Sequence, residues 1–146
     1  MSRFTLAFAA AAVAIAVGAI VVTSGSAQAP TGTTLNLVST TQKGVGFNPK
    51  GKPRQGSQFV FGDKITGTAT GTDRGVCTLI GKQAFCNVVV TLSNGTLSAT
   101  GLLSDTSKNT PMQVTGGTGA YNGARGTALI TDVNSKTTKV DVTLLP

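Results

Sequence analysis

Five glycines and one arginine fall within Gly116-Gly117-Thr118-Gly119-Ala120-Tyr121-Asn122-Gly123-Ala124-Arg125-Gly126, between two segments with the composition of β-strands. Glycine lacks the Cβ that makes positive φ costly, so this stretch predicts a tight, irregular corner that few other sequences could follow. Tyr121 and Arg125 are then fixed by the corner and become candidate functional side chains. A phosphate cradle is excluded. Gly117-Thr118-Gly119 followed by Gly123 is one residue too long for a dinucleotide fingerprint, no helical pattern follows it, and no Gly-Lys-Ser/Thr completes a P-loop.

From Pro30 onward the chain is rich in threonine, valine and glycine and shows no capped helical period, which is the composition of short strands joined by turns. Leu35 to Thr40 reads as a first strand, Thr41 to Gly56 as a long Gly/Pro loop, and Phe59-Val60-Phe61 as a second strand. Ile65 to Gly71 alternates threonines with small or apolar residues, as a sheet requires. Asp63 reads as a turn residue, and Asp73-Arg74-Gly75 as a loop whose Arg74 lines a mouth.

Gly81-Lys82 has glycine at the first central position of a type II′ hairpin turn. Counting outward pairs Ile80 with Gln83, Leu79 with Ala84, Thr78 with Phe85 and Cys77 with Cys86. The last is a non-hydrogen-bonded pair, where Cα atoms stand about 4.5 Å apart, within reach of a disulfide. Asn94-Gly95 predicts a type I′ turn pairing Leu92 with Leu97 and Val90 with Ala99. Met112 to Thr115 is a short strand, and Thr127 to Val133 with Lys139 to Leu145 forms a last hairpin. About eight consecutive antiparallel strands can close into a barrel with room for side chains or one small ligand; a two-sheet sandwich uses the same pattern.

The amino terminus has the order of an export signal: Arg3, an apolar run through Val22, then small residues up to Ala27-Gln28-Ala29. Cleavage after Ala27 or Ala29 leaves residues 30–146 as one secreted domain. The apolar run is also long enough for an uncleaved membrane anchor. Export agrees with a Cys77–Cys86 bridge, since disulfides persist outside the reducing cytosol. The chain has 12 Lys and Arg against 5 Asp and Glu, all aspartate, and no histidine or tryptophan. Without histidine there is no Ser-His-Asp machinery or imidazole metal ligand, and two cysteines cannot close a zinc site, so neither metal nor cofactor is expected. The densest basic patch, Lys43, Lys50, Lys52 and Arg54, carries Phe47 as its one aromatic. That argues against nucleic acid and leaves an anionic cell-wall contact as the polyanion reading.

The corner resembles the signature GGTGxYxxARG of the allene oxide cyclase-like barrel superfamily, which includes the plant dirigent proteins. Phe59-Val60-Phe61-Gly62-Asp63, Gly75 to Ile80 and Asn94 to Gly101 are similar to further family segments in the same order, so the resemblance runs from about residue 57 to 144. It implies an all-β fold, a single eight-stranded antiparallel barrel, often trimeric in relatives, whose apolar interior binds a small hydrophobic molecule and directs its cyclisation or coupling without a cofactor. Arg125 is retained from that pattern, and Asp63 stands near one of its aspartates. Ala120 stands where dirigent proteins commonly have an acid, and the glutamate used by allene oxide cyclases has no counterpart. In size and bridged hairpin the chain is similar to bacterial members. Arg125, Tyr121, Asp63 and Arg74 are therefore the ligand-binding candidates, with no catalytic residue assigned. The alternative is a non-catalytic cell-surface module that works through its basic exterior.

Overall fold

The Gly81-Lys82 turn sets the register from which the whole sheet can be followed in the computed structural model, which describes residues 32–46, 52–104 and 107–146. The eight strands are β1 (Thr34–Gly46), β2 (Gln58–Gly67), β3 (Gly71–Ile80), β4 (Gln83–Leu92), β5 (Gly95–Ser104), β6 (Asn109–Gly119), β7 (Gly126–Asn134) and β8 (Thr137–Leu144). Each pairs antiparallel with the next, and β1 pairs with β8, so the sheet closes into a barrel and leaves no edge exposed. The sandwich is thereby excluded.

Gly81 sits at φ +62°, and the pairs Ile80–Gln83, Leu79–Ala84, Thr78–Phe85 and Cys77–Cys86 all form as the turn requires. Cys77 and Cys86 are joined by a disulfide across a Cα separation of 4.1 Å, and both are fully buried.

Several strand limits differ from the sequence reading. β1 continues through the segment expected to be loop, up to Gly46, by means of a bulge between Thr41 and Lys43. Phe59 to Phe61 and Ile65 to Gly67 belong to one strand, so Asp63 lies within a ladder rather than at a turn. Asp73-Arg74-Gly75 lies likewise within β3, not in a loop. At the β4–β5 hairpin Leu92 pairs with Gly95 and Val90 with Leu97, a register two residues tighter than expected. The turn is Ser93-Asn94, and with no non-glycine residue at positive φ among those described it is not type I′. A slip of two keeps every side chain on its face. Leu92 and Leu97 accordingly stay buried, and Val88, Val90 and Ala99 pack against the core. Residues 1–29, which the sequence reads as an export signal, lie outside the described residues, as do Phe47 and Lys50 of the basic loop; Lys52 and Arg54 are exposed.

The corner itself is shorter than its glycines suggest, because β6 runs through Gly116 to Gly119 and only Ala120 to Arg125 turn. Three successive backbone bonds, Tyr121 N–H to Thr118 O, Asn122 N–H to Gly119 O and Ala124 N–H to Tyr121 O, wind it tightly. Gly126 resumes the sheet at φ +154°, and a Cβ there would strike the Thr143 carbonyl of β8. The corner closes one end of the barrel as a floor. Tyr121, Ala124, Leu35 and Leu144 are buried there, at 4%, 1%, 8% and 1% exposure. The turns β3–β4 and β7–β8 form the opposite end, the mouth.

Candidate functional site

On β2 and β3, Asp63 stands directly opposite Asp73. Side chains alternate along a strand, and Asp73 shares the parity of Cys77, whose bridge is internal; both carboxyls therefore project into the barrel. Asp73 is only 6% exposed. Its Oδ1 accepts the Asp63 backbone N–H at 3.0 Å. Ser39, on β1, brings its Oγ within 2.9 Å of Asp63 Oδ2 and 3.2 Å of Asp73 Oδ2.

A serine hydroxyl carries one proton and can serve only one of two carboxylates at a time. Both contacts are satisfied when a second proton resides on the pair. The electrostatics put it on Asp73: burial, and then the neighbouring Asp63 charge, push its pKa up from 3.8 to about 6, against the lowering effect of the Ser39 and Asp63 backbone hydrogen bonds. Asp63 Oδ1 is buried with no hydrogen-bond partner. The arrangement is an acid–base pair at which one proton can be given or taken near neutral pH.

The pair borders a cavity of about 160 Å³ enclosed by the barrel. Its other walls are apolar, including Val88 and Val90 of β4, Leu97 and Ala99 of β5, and Met112 and Val114 of β6. The lining extends to exposed Asp132 and half-buried Thr138 beside the β7–β8 turn, so the cavity reaches the mouth. An apolar space of about 150 Å³ is enough for a benzene-sized ring. Phe61 also lines it, opposite Gly75, and a Cβ at Gly75 would collide with the Phe61 ring. The glycine leaves the ring its place in the wall.

The four candidates read from the sequence are dispersed. Asp63 borders the cavity. Tyr121 is buried in the floor and does not line it. Arg74 is exposed and falls, by strand alternation, on the outer face of β3. Arg125 is exposed and donates from Nη1 to the Thr115 carbonyl at 2.8 Å and to the Ala124 carbonyl at 2.9 Å. Thr115 is the extra residue of a β6 bulge, since Ser98 pairs with Gly116 and Ala99 with Val114. Arg125 thus meets a carbonyl that the ladder leaves over. Asp73 and Ser39 are the residues the sequence reading missed. A signal for Asp73 was present in the spacing, because it lies four residues before Cys77 and so shares that cysteine's face of the strand. Among the described residues no group of three His, Cys, Asp or Glu side chains is arranged to hold a metal ion.

The family profile described as "allene oxide cyclase barrel like domain" matches residues 33–144. No curated protein sequence matches the chain. Among solved structures the barrel is similar to a pyocyanin demethylase, with TM-score 0.67 and 22% identity over 77% of this chain and 99% of that one. It is similar to a pterocarpan synthase dirigent protein, with TM-score 0.65 and 18% identity over 81% and 97% of the two chains. It is also similar to an exo-specific intermolecular Diels-Alderase, with TM-score 0.62 and 12% identity over 79% and 98%. At these identities the likeness is one of fold.

Proposed function

The chain belongs to the allene oxide cyclase barrel-like family, and on that premise we propose that it binds a small molecule with an apolar body inside the barrel and directs a cyclisation or coupling of it by proton transfer at Asp63 and Asp73. The observation that carries this reading is the acid pair, with its unpartnered Asp63 Oδ1, set across the cavity from the apolar walls of β4, β5 and β6. Neutral Asp73 donates its proton to a lone pair of the guest. Its carboxylate, beside Asp63, then recovers a proton from the product, so a cyclisation proceeds with no net proton and no cofactor. The apolar walls exclude water and hold the guest in one orientation, which is how a barrel without further machinery steers a reactive intermediate. The names of the structural neighbours, a demethylase, a pterocarpan synthase and a Diels-Alderase, support small-molecule chemistry in barrels of this shape. The export signal and the disulfide support work outside the cytosol.

Titration with 4-fluorophenol followed by ¹⁹F NMR tests the binding step. The reading expects a saturable shift that disappears when Ala99→Phe fills the cavity; an absent shift, or one indifferent to that substitution, counts against it. A second reading, a surface module acting on anionic polymer, is favoured by the chain's net charge of +7, with no lysine or arginine among the described residues that line the cavity. It expects salt-sensitive retention on cell-wall polymer.

A further inference from the structure

Three of the chain's five acidic residues, Asp63, Asp73 and Asp132, line one cavity, and among the described residues no lysine or arginine lines it with them. The surrounding protein is strongly basic. Interior and exterior therefore have opposite electrostatic character, and no basic side chain among the described lining residues offsets the interior charge.

The acids are ordered rather than scattered. Asp73 pairs with Asp63, Ser39 with Thr138, and Thr138 with Asp132, while the Ser39 hydroxyl joins Asp63 and Asp73. Thr138 Oγ1 donates to Asp132 Oδ1 at 3.3 Å. The result is one polar layer across five neighbouring strands, β3, β2, β1, β8 and β7. The facing strands β4, β5 and β6 contribute only apolar side chains to the cavity, apart from the bridged Cys86. A guest in this space meets carboxyls on one side and aliphatic groups on the other.

Once Asp73 is ionised, every group in the polar layer that could donate is already committed, whereas acceptor capacity is left over. Ser39 has one proton for two carboxylates, Thr138 spends its proton on Asp132, and Asp63 Oδ1 has no donor at all. Lys64 and Arg74, next in sequence to the acid pair, are exposed on the outer face. A buried acceptor without a donor is costly, more so when charged, so the unmet requirement is for a cation or an N–H donor. Phe61, the one aromatic side chain among the described lining residues, offers a π surface that also attracts cations.

We propose that the cavity selects small organic cations, a single apolar ring bearing a protonated or quaternary nitrogen, over neutral and anionic compounds of the same size. The inference rests on the cavity being a binding site, as argued above, and adds the charge class of its guest. A cation beside Asp63 and Asp73 favours ionisation of both, which turns the pair from proton donor to proton acceptor. The groups facing Asp73 are Ser39 and Asp63, so cation affinity rises with pH as Asp73 loses its proton around about 6.

Isothermal titration with N-methylpyridinium, toluene and benzoate tests this on the full chain. N-methylpyridinium keeps its charge at every pH. The expected result above about pH 7 is saturable binding of N-methylpyridinium at least about tenfold tighter than toluene, with no binding of benzoate. The preference should survive high salt, because a buried pair is screened little while surface attraction is abolished. Ala99→Phe should remove binding of both ligands. Asp63→Asn should bring the cation down to the affinity of toluene and leave toluene unchanged; as the wild-type selectivity is itself decisive, the inference does not depend on that variant folding. Equal affinity for toluene and N-methylpyridinium overturns the charge selectivity and leaves the binding site standing. Tighter binding of benzoate does the same. Failure of all three probes removes the binding site, and this inference with it.

Discussion

The floor of the barrel and the polar layer above it are built from the same alternation of strand residues, yet they answer to different demands. At the floor, Tyr121 and Leu144 are packed against Gly117 and Gly126, whose missing side chains let backbones touch, and the spare Thr115 carbonyl beside the corner has been given a donor by Arg125. In the polar layer two carboxyls face each other, one hydroxyl serves both, and an oxygen is left over. One region is satisfied and the other is not. Unsatisfied buried groups are costly and call for an explanation, so under the proposed function the corner carries stability and the strands carry chemistry.

That assignment is easiest to break at Gly126. Gly126→Ala puts a Cβ against the Thr143 carbonyl at a φ of +154°, and should cost about 3 kcal/mol or more in urea denaturation. Whatever fraction folds should bind ligand normally. Removing the Cys77–Cys86 bridge by a double alanine substitution should cost about 2–3 kcal/mol, from the entropy of a short closed loop. Because Cys86 also lines the cavity, this variant should weaken binding as well, unlike Gly126→Ala.

Asp73→Asn should act in the opposite direction. The folded-state pKa of Asp73 is raised, so the folded protein holds a proton that the unfolded chain releases between about pH 4 and pH 6. Stability from this group is full below that window and falls as pH rises through it. Relieving that loss, the variant should gain on the order of 2 kcal/mol at neutral pH, gain little below about pH 4, and lose turnover. A loss of stability at neutral pH would show that the layer is structural. The smallest effect belongs to Arg125→Ala, about 1 kcal/mol of stability for an exposed hydrogen-bonded cation, with ligand binding untouched. A variant that folds fully but no longer binds would return Arg125 to the site.

The sequence made the floor legible and the polar layer mostly not, for a physical reason. Gly81 and Gly126 impose backbone constraints that act locally, so hairpins, disulfide and corner follow from spacing within a few residues. The acid pair depends on Asp63 and Asp73 facing each other across two strands, and Ser39 joins them from a third, 24 residues before Asp63 and 34 before Asp73. Aspartate beside glycine reads as a turn on local grounds. Here Gly62 and Gly75 lie within strands, the second making room for the Phe61 ring, and that meaning exists only once β2 and β3 are paired. The β4–β5 register shows a milder form of the same limit, because Gly95 serves close approach to Thr118 rather than the turn.

The claim that chemistry resides in the polar layer is tested most directly by following the side-chain carboxyl carbons of Asp63 and Asp73 by ¹³C NMR across pH, with and without N-methylpyridinium. The account predicts that Asp73 titrates near about 6 in the free protein and moves down when the cation binds, with the Asp63 resonance shifting in step. Ordinary titration of Asp73 at about 4, unchanged by the ligand, would contradict it.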